Sequence, residues 1–317
     1  MKISPDQTKK ERRILVIKHG ALGDMVQAMD AFASLRAAHR SDHLAVLTSP
    51  PFAGLLTASP YFDEVLLDDR APIYRMGSWL RMRRLFRSGW TRIYDFQCSS
   101  RTNRYFKYFI ASTGIEFVGA AKGVSHPIPN FEGVNNRDRM LMTASLGGVA
   151  PAEANLDWLG GGRTLLTDLC LPRPYAILLP GCSPAKPSKR WSAAGYVALA
   201  TGLMDQGITP VLAGTKHDAA AVDEITQMLP EITSILGQTT IDQLCQVCRG
   251  AAAVIGNDTG PVFLAARMGA PTVMVMGADT DPTMSAPIGD KASWVRAEPI
   301  DKVEPADVLN ALKPLMA

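Results

Sequence analysis

The stretch ILVIKHGALGDMV, residues 14–26, joins a short apolar run to a glycine turn and then to a helical pattern. Ile14–Ile17 has the unbroken hydrophobicity of a strand buried on both faces of a parallel sheet. A turn through His19, Gly20 and Gly23 follows. Met25, Val26, Met29, Phe32, Ala33 and Leu35 then recur at helical spacing to about His39. Outward from this unit, further strands are predicted at Leu44–Leu47, Glu64–Leu67, Ile93–Phe96 and Phe117–Val118. Repeated strand, turn and helix is the sequence form of a doubly wound parallel sheet.

Residues 119–162 carry little periodicity beyond a helix at Arg137–Leu146 and end in Gly160-Gly161-Gly162, the run expected to be most flexible. The same pattern then starts again. Strands are expected at Tyr175–Leu179, Thr209–Ala213, Ile232–Leu236, Ala253–Ile255 and Thr272–Met276, the last clear strand. Helices are expected at Ala193–Asp205, Asp218–Met228 and Ile241–Arg249, in a stretch from the Gly256–Gly260 turn to Gly269, and at Asp307–Leu315. The expectation is an α/β chain of two Rossmann-like domains, residues 1–162 and 163–317, with a cleft at the carboxyl ends of both sheets.

The chain has 317 residues and a net charge of +3, which gives no support to a nucleic-acid partner. No apolar run reaches the roughly 18–20 residues of a membrane span. Residues 1–13 lack a signal-peptide core, and the five cysteines are scattered, so a cytoplasmic location is expected. Charge is uneven, however. Arg70 to Lys107 holds ten basic residues, among them Arg81, Arg83, Arg84, Arg87, Arg101 and Arg104, and one acid, Asp95. This reads either as a solvated helix face over a core stripe or as a docking surface for an anionic membrane or acceptor.

Three places carry candidate chemistry. Gly23-Asp24 lies where a strand hands over to a helix, so Asp24 is either an N-cap or a general base. Pro180-Gly181-Cys182-Ser183 follows a strand, with Lys186, Lys189 and Arg190 close behind. Donors followed by cations suit a diphosphate, and an exposed basic loop is the alternative. In Asn257-Asp258-Thr259-Gly260-Pro261, Asp258 or Thr259 can cap a helix and Pro261 suits its first turn. Gly260 admits a ligand close to the backbone, and the helix N-terminus attracts phosphate. Cys245 and Cys248 share a helical stripe with Ile241 and Leu244 and read as core cysteines. No metal site is expected, since no second Cys pair or spaced His completes one. His19 is the one histidine beside a candidate site, where it is expected to line the cleft. Neither G-x-G-x-x-G nor G-x-x-x-x-G-K-[ST] occurs, which counts against a nicotinamide oxidoreductase and a P-loop enzyme.

ILVIKHGALGDMV (14–26), LLPGCSPAKPSKRW (178–191), VLAGTKHD (211–218) and GNDTGPVFLAARMGAPTVMVMGADTDP (256–282) stand in the order and spacing of the bacterial ADP-heptose:lipopolysaccharide heptosyltransferases, glycosyltransferase family 9. The chain resembles that family over nearly its whole length, most strongly in the last third. The resemblance implies a GT-B fold of two facing Rossmann-like domains. It implies inverting transfer of a heptose from ADP-heptose to the lipopolysaccharide inner core, without a metal or cofactor. It maps the proposed base to Asp24, the phosphate-contacting lysine to Lys189, and the donor-binding residues to Gly23, Cys182, Ser183, Asp258, Thr259, Gly260 and Pro261. Asp218 matches an acid near the donor ribose. The chain departs from the pattern at Phe263, where the family often has His, at Asp30, where it usually has Pro, and at Cys182, where Ala, Ser or Thr is commoner.

The resemblance also gives the basic stretch a partner, a lipid-linked anionic acceptor at the inner face of the inner membrane. A noncatalytic sugar-nucleotide-binding protein of the same fold is the alternative.

Overall fold

The computed structural model describes residues 11–72, 74–161, 169–183 and 186–317. The first half runs β1 (Arg13–Ile17), α1 (Leu22–Gln27), α2 (Met29–Ala38), β2 (His43–Thr48), α3 (Ala53–Thr57), β3 (Glu64–Leu67), α4 (Met76–Phe86), β4 (Arg92–Asp95), α5 (Ser100–Tyr105), β5 (Glu116–Gly119), β6 (His126–Pro127) and α6 (Asn136–Leu146). The second half runs β7 (Tyr175–Leu179), α7 (Ala193–Met204), β8 (Thr209–Leu212), α8 (Ala219–Met228), β9 (Thr233–Ser234), α9 (Ile241–Arg249), β10 (Ala253–Asn257), α10 (Gly260–Arg267), β11 (Thr272–Met276), α11 (Pro282–Ser285), β12 (Ala292–Arg296) and α12 (Pro305–Leu312).

The strands form two six-stranded sheets, ordered β3-β2-β1-β4-β5-β6 and β12-β11-β10-β7-β8-β9. All pairings are parallel. Counted from its own first strand, each sheet has the same order, and its winding reverses between its first and fourth strands. Open parallel sheets bind ligands at such reversals, outside the carboxyl ends of the strands. Here those points are β1/β4 and β7/β10. Register explains the apolar runs. Leu15 is flanked by Ala45 and Ile93, and Ile255 by Leu178 and Val273, so both faces of each central strand are covered.

Two compact units result. One contains Ala28–Glu132, Arg137–Ala154 and the residues up to Gly20; the other contains Ala21–Gln27, Gly133–Asn136 and Asn155–Ala317. In the first, Phe86, Tyr105, Phe109 and Phe117 pack over the sheet, with the Phe86 and Phe109 rings stacked 5.9 Å apart. In the second, α7 and α12 cover the sheet through Tyr196, Leu199, Leu203, Val308 and Leu312. The expected boundary at residue 162 lies outside the described residues.

Several expectations change. The single helix expected from Met25 to His39 is two, broken at Ala28. Asp30, where the family usually has Pro, is buried. Its carboxylate accepts hydrogen bonds from Arg137 Nε and from the Ala154 amide at 2.8 Å, which ties α2 to the end of the first unit. Gly160 is anchored, not loose: its N–H donates to Asp242 at 2.7 Å. Its φ of +69° is a conformation glycine adopts freely. Thr272–Met276 is not the last strand; β12 pairs beside it.

Candidate active site

The site is built at the β7/β10 reversal, around Asn257. This residue ends β10 and is fully buried. Its Nδ2 donates to the carbonyls of Pro180 (2.8 Å) and Gly181 (3.3 Å). Its Oδ1 accepts from the Trp191 amide and the Tyr196 hydroxyl, both at 3.1 Å. One amide side chain thus fastens the turn after β7 to the segment that follows Lys189. Trp191 is buried beneath that segment and donates from Nε1 to the Val303 carbonyl at 3.1 Å.

Asp258 and Lys189 come together across this frame. Lys189, on a 3-10 turn at Pro187–Lys189, forms an ion pair through Nζ with Asp258 Oδ2. The Thr280 hydroxyl donates to the same oxygen at 2.7 Å. Lys and Asp side chains here are 15% and 9% exposed, so the pair is largely shielded yet reachable. Asp258 therefore does not cap the next helix. Thr259 occupies the N-cap position of α10 but makes no capping hydrogen bond through its side chain, and Pro261 sits in the first turn. The expectation that one of these side chains caps α10 is overturned, because the Asp258 carboxylate is committed to Lys189 and Thr280. A helix start left uncapped by side chains keeps its amides for other acceptors.

Thr280 is legible only in the structure. A hydrogen bond to a charged group contributes about 1.5–3 kcal/mol. Thr280→Val is expected to lower kcat/KM for donor by roughly 10–100-fold, by that free energy. Thr280→Ser is expected to restore most of it. Steady-state kinetics on both variants checks this, and an unimpaired Thr280→Val variant would remove the role.

The early glycine turn belongs to the same compact unit. α1 packs against α10. A Cβ on Gly23 would lie 2.9 Å from the Phe263 ring and 3.4 Å from Gly260 Cα. One on Gly260 would lie 2.7 Å from Leu22 Cβ and 2.9 Å from the Gly23 nitrogen. The two helices thus meet backbone to backbone, and only glycine fits at the seam. Gly260→Ala is expected to destabilise by about 1–3 kcal/mol, the usual range for overpacking, read as a lower midpoint in thermal or urea unfolding. Asp24, next to Gly23, lies half-buried in the first turn of α1 and is not its N-cap, since the helix already starts at Leu22. An acid there favours the positive end of the helix. Phe263 is buried in this seam, where its ring covers Gly23.

Asp218 stands at the carboxyl end of β8. Its Oδ2 accepts from the Thr215 amide (2.8 Å) and hydroxyl (2.9 Å). Its carboxylate packs where side chains on Gly181 and Gly214 would fall. It is thus beside the Pro180–Ser183 turn but engaged in local capping. Cys182 is buried, with its thiol directed at the Lys186 carbonyl, 3.5 Å away, whereas Ser183 is exposed. Cys245 and Cys248 are fully buried in α9, and burial pushes the Cys245 thiol up to about 12, which suits core residues.

The remaining candidates lie in the other unit. Arg101 is not a docking residue: its guanidinium clasps buried Asp68 at 2.9 and 3.0 Å and donates to the Arg70 and Ala71 carbonyls. Arg81 pairs with Asp69 at 2.5 Å, both half-exposed. Arg83, Arg84, Arg87 and Arg104 are exposed. His19 does not line a cleft. It is buried, with Nε2 3.0 Å from Asp68 Oδ2. The Tyr105 hydroxyl also donates to Asp68. This cluster was missed because its members are scattered over 87 positions of sequence, His19 to Arg101 to Tyr105 through Asp68, roughly the reach only a folded sheet can close.

Two open parallel sheets of identical winding, each presenting its reversal point, are the GT-B architecture. Residues 132–313, more than half of the chain, match the model of glycosyltransferase family 9 (heptosyltransferase), and the chain belongs to that family. It is 32% identical over 135 residues to lipooligosaccharide heptosyltransferase 2 of Haemophilus influenzae, a match spanning 41% of this chain and 38% of that one. It is 31% identical over 129 residues to lipopolysaccharide heptosyltransferase 2 of Escherichia coli, spanning 39% and 36%. These matches thus span less than two-fifths of the relatives' lengths. In fold, it is similar to E. coli ADP-heptose LPS heptosyltransferase II, with a TM-score of 0.76 at 22% identity over 96% of this chain and 98% of that one. It is also similar to E. coli heptosyltransferase WaaC solved with ADP, with a TM-score of 0.74 at 17% identity over 96% and 99%. Among the described residues, no helix is long and apolar enough to cross a membrane.

Proposed function

We propose that this protein is an inverting heptosyltransferase that moves a heptose from ADP-heptose to an anionic, lipid-linked core saccharide, using neither a metal nor a separate cofactor. The observation that carries the reading is the Lys189–Asp258–Thr280 group at the β7/β10 reversal, in the same unit as the helix bearing Asp24. The ADP bound by a solved relative of the same fold supports an adenine nucleotide as the carrier.

In this reading the bond between the anomeric carbon and the β-phosphate oxygen breaks, and ADP leaves with the electron pair. Charge then grows on the diphosphate. The Lys189 ammonium has three donors, one of them committed to Asp258, and the rest face the leaving group together with the α10 amides. Asp258 holds Lys189 in place and turns its remaining acceptor capacity to sugar hydroxyls. The acceptor hydroxyl attacks the opposite face of the sugar, and its proton passes to Asp24. Cys182, Ser183 and Asp218 stand around the nucleotide, with Asp218 at the end of the second strand, where Rossmann-like sheets present an acid to the ribose. The protein works in the cytoplasm, peripheral to the inner face of the inner membrane, where such acceptors are held.

The test is a reaction of purified protein with ADP-heptose and a core saccharide, read by ADP release and by mass spectrometry of the saccharide. One added heptose is expected. Donor hydrolysis alone, or an untouched donor, would remove the transferase reading.

A further inference from the structure

The proposal concerns α4, and rests on the membrane contact in the preceding reading. α4 has two unlike faces. Met82 and Phe86 are buried, and Trp79 packs edge-on against Phe109 at 5.6 Å. These residues, spaced three and four apart, fix the inward face. The outward face carries Met76, Leu80, Arg83, Arg84 and Arg87, which follow the same spacing on the opposite side. Met76 is 71% exposed and Leu80 50%, and Tyr74 just ahead of the helix is 85% exposed. A helix that only covers a core keeps large apolar side chains off its outer face.

The charges beside these residues identify the partner. Arg81 is matched by Asp69, and Arg101 by Asp68. Arg83, Arg84 and Arg87 have no acid within ion-pair distance among the described residues, and Arg83 lies over the Trp79 ring at 5.6 Å. Exposed Lys107 and Tyr108 lie on the π-helical turn that packs beside α4. Apolar side chains at one end of a helix face and arginines at the other, with an aromatic at the edge, are what an anionic bilayer surface binds. The hydrocarbon boundary takes the apolar groups and the headgroup phosphates take the guanidinium groups.

We infer that α4 is an in-plane membrane anchor that inserts Met76, Leu80 and Tyr74 into an anionic bilayer, with Arg83, Arg84 and Arg87 on its headgroups. The inference differs from simple electrostatic adhesion, because it assigns part of the affinity to apolar contact. Salt then weakens binding without abolishing it.

Co-sedimentation with vesicles of phosphatidylglycerol and phosphatidylcholine, against phosphatidylcholine alone, tests it on the full chain. The parent is expected to bind the anionic vesicles. Met76→Ser with Leu80→Ser is expected to weaken binding by roughly tenfold or more. The Arg83→Gln, Arg84→Gln, Arg87→Gln variant is expected to weaken it by roughly fivefold per arginine. All five positions are on the outer face, so thermal melts are expected to match the parent's. A parent that ignores anionic vesicles overturns the proposal, and so does a serine variant that binds as well as the parent. A dimer of the parent in sedimentation velocity that the serine variant loses would assign the face to a second copy and likewise overturn it. Stabilisation by ADP-heptose, measured on the same variants, reads the transferase assignment separately.

Discussion

Asp24→Asn is expected to lower turnover by about 10²–10⁴-fold, the range for loss of a general base, while leaving the donor affinity within about twofold. Asparagine keeps the size and one acceptor oxygen of the side chain but cannot take a proton. Asp24 is in the first turn of α1, so loss of its charge also removes a favourable interaction with the helix dipole, about 0.3–1 kcal/mol. That is too little to unfold the unit. The two effects separate cleanly: ADP release with acceptor present reports the base, and calorimetric titration with ADP-heptose reports the donor site. Turnover of the variant equal to the parent's would exclude Asp24 as the base.

Asp68→Ala is expected to destabilise the first unit by about 3–5 kcal/mol, since it strands buried partners. Asp68 is fully buried. Arg101 meets it at 2.9 and 3.0 Å, His19 Nε2 lies 3.0 Å away, the Arg70 amide donates at 2.9 Å, and Tyr105 donates its hydroxyl. Burial pushes its carboxyl up, but the hydrogen bonds from His19, Arg101, Tyr105 and the Arg70 amide outweigh it and hold it well below the usual carboxylate range. A folded-state value depressed below the unfolded one gives stability that is present above the unfolded value, about 3.9, and is lost as pH falls toward the folded one. The parent is therefore expected to lose stability on acidification below about pH 4, and Asp68→Asn to have a flatter acid limb. Urea unfolding of both from pH 7 to pH 3 checks this. Parallel curves would show that Asp68 does not carry the dependence.

Much of the fold could be read from the chain because its central strands are buried on both faces. Ile14–Ile17, Tyr175–Leu179 and Thr272–Met276 are unbroken apolar runs, and their strands fall within a residue of the expected ends. Edge strands gave weaker signals. β12 alternates half-buried and exposed residues, and β6 and β9 are two residues long. The site was legible as three motifs but not as a constellation. Nothing in the sequence places Gly23 against Gly260 and Phe263, or commits Asp258 to Lys189 and Thr280 in preference to a helix cap. Those contacts join residues far apart in the chain. The basic stretch misled for the opposite reason. Composition counts charges without their partners, and Arg81 and Arg101 are neutralised by Asp69 and Asp68, which lie at and before its edge.

The central claim, a donor site for ADP-heptose in the second unit, is tested most directly by the unfolding midpoint in a panel of ADP, UDP, GDP and their sugars. Ligand that binds only the folded state stabilises it by about 2.7 kcal/mol at a hundred times its Kd. The account predicts a clear rise with ADP-heptose, a smaller one with ADP, and none with the uridine or guanosine compounds. A rise confined to a uridine or guanosine sugar, or no rise with any of them, would contradict it.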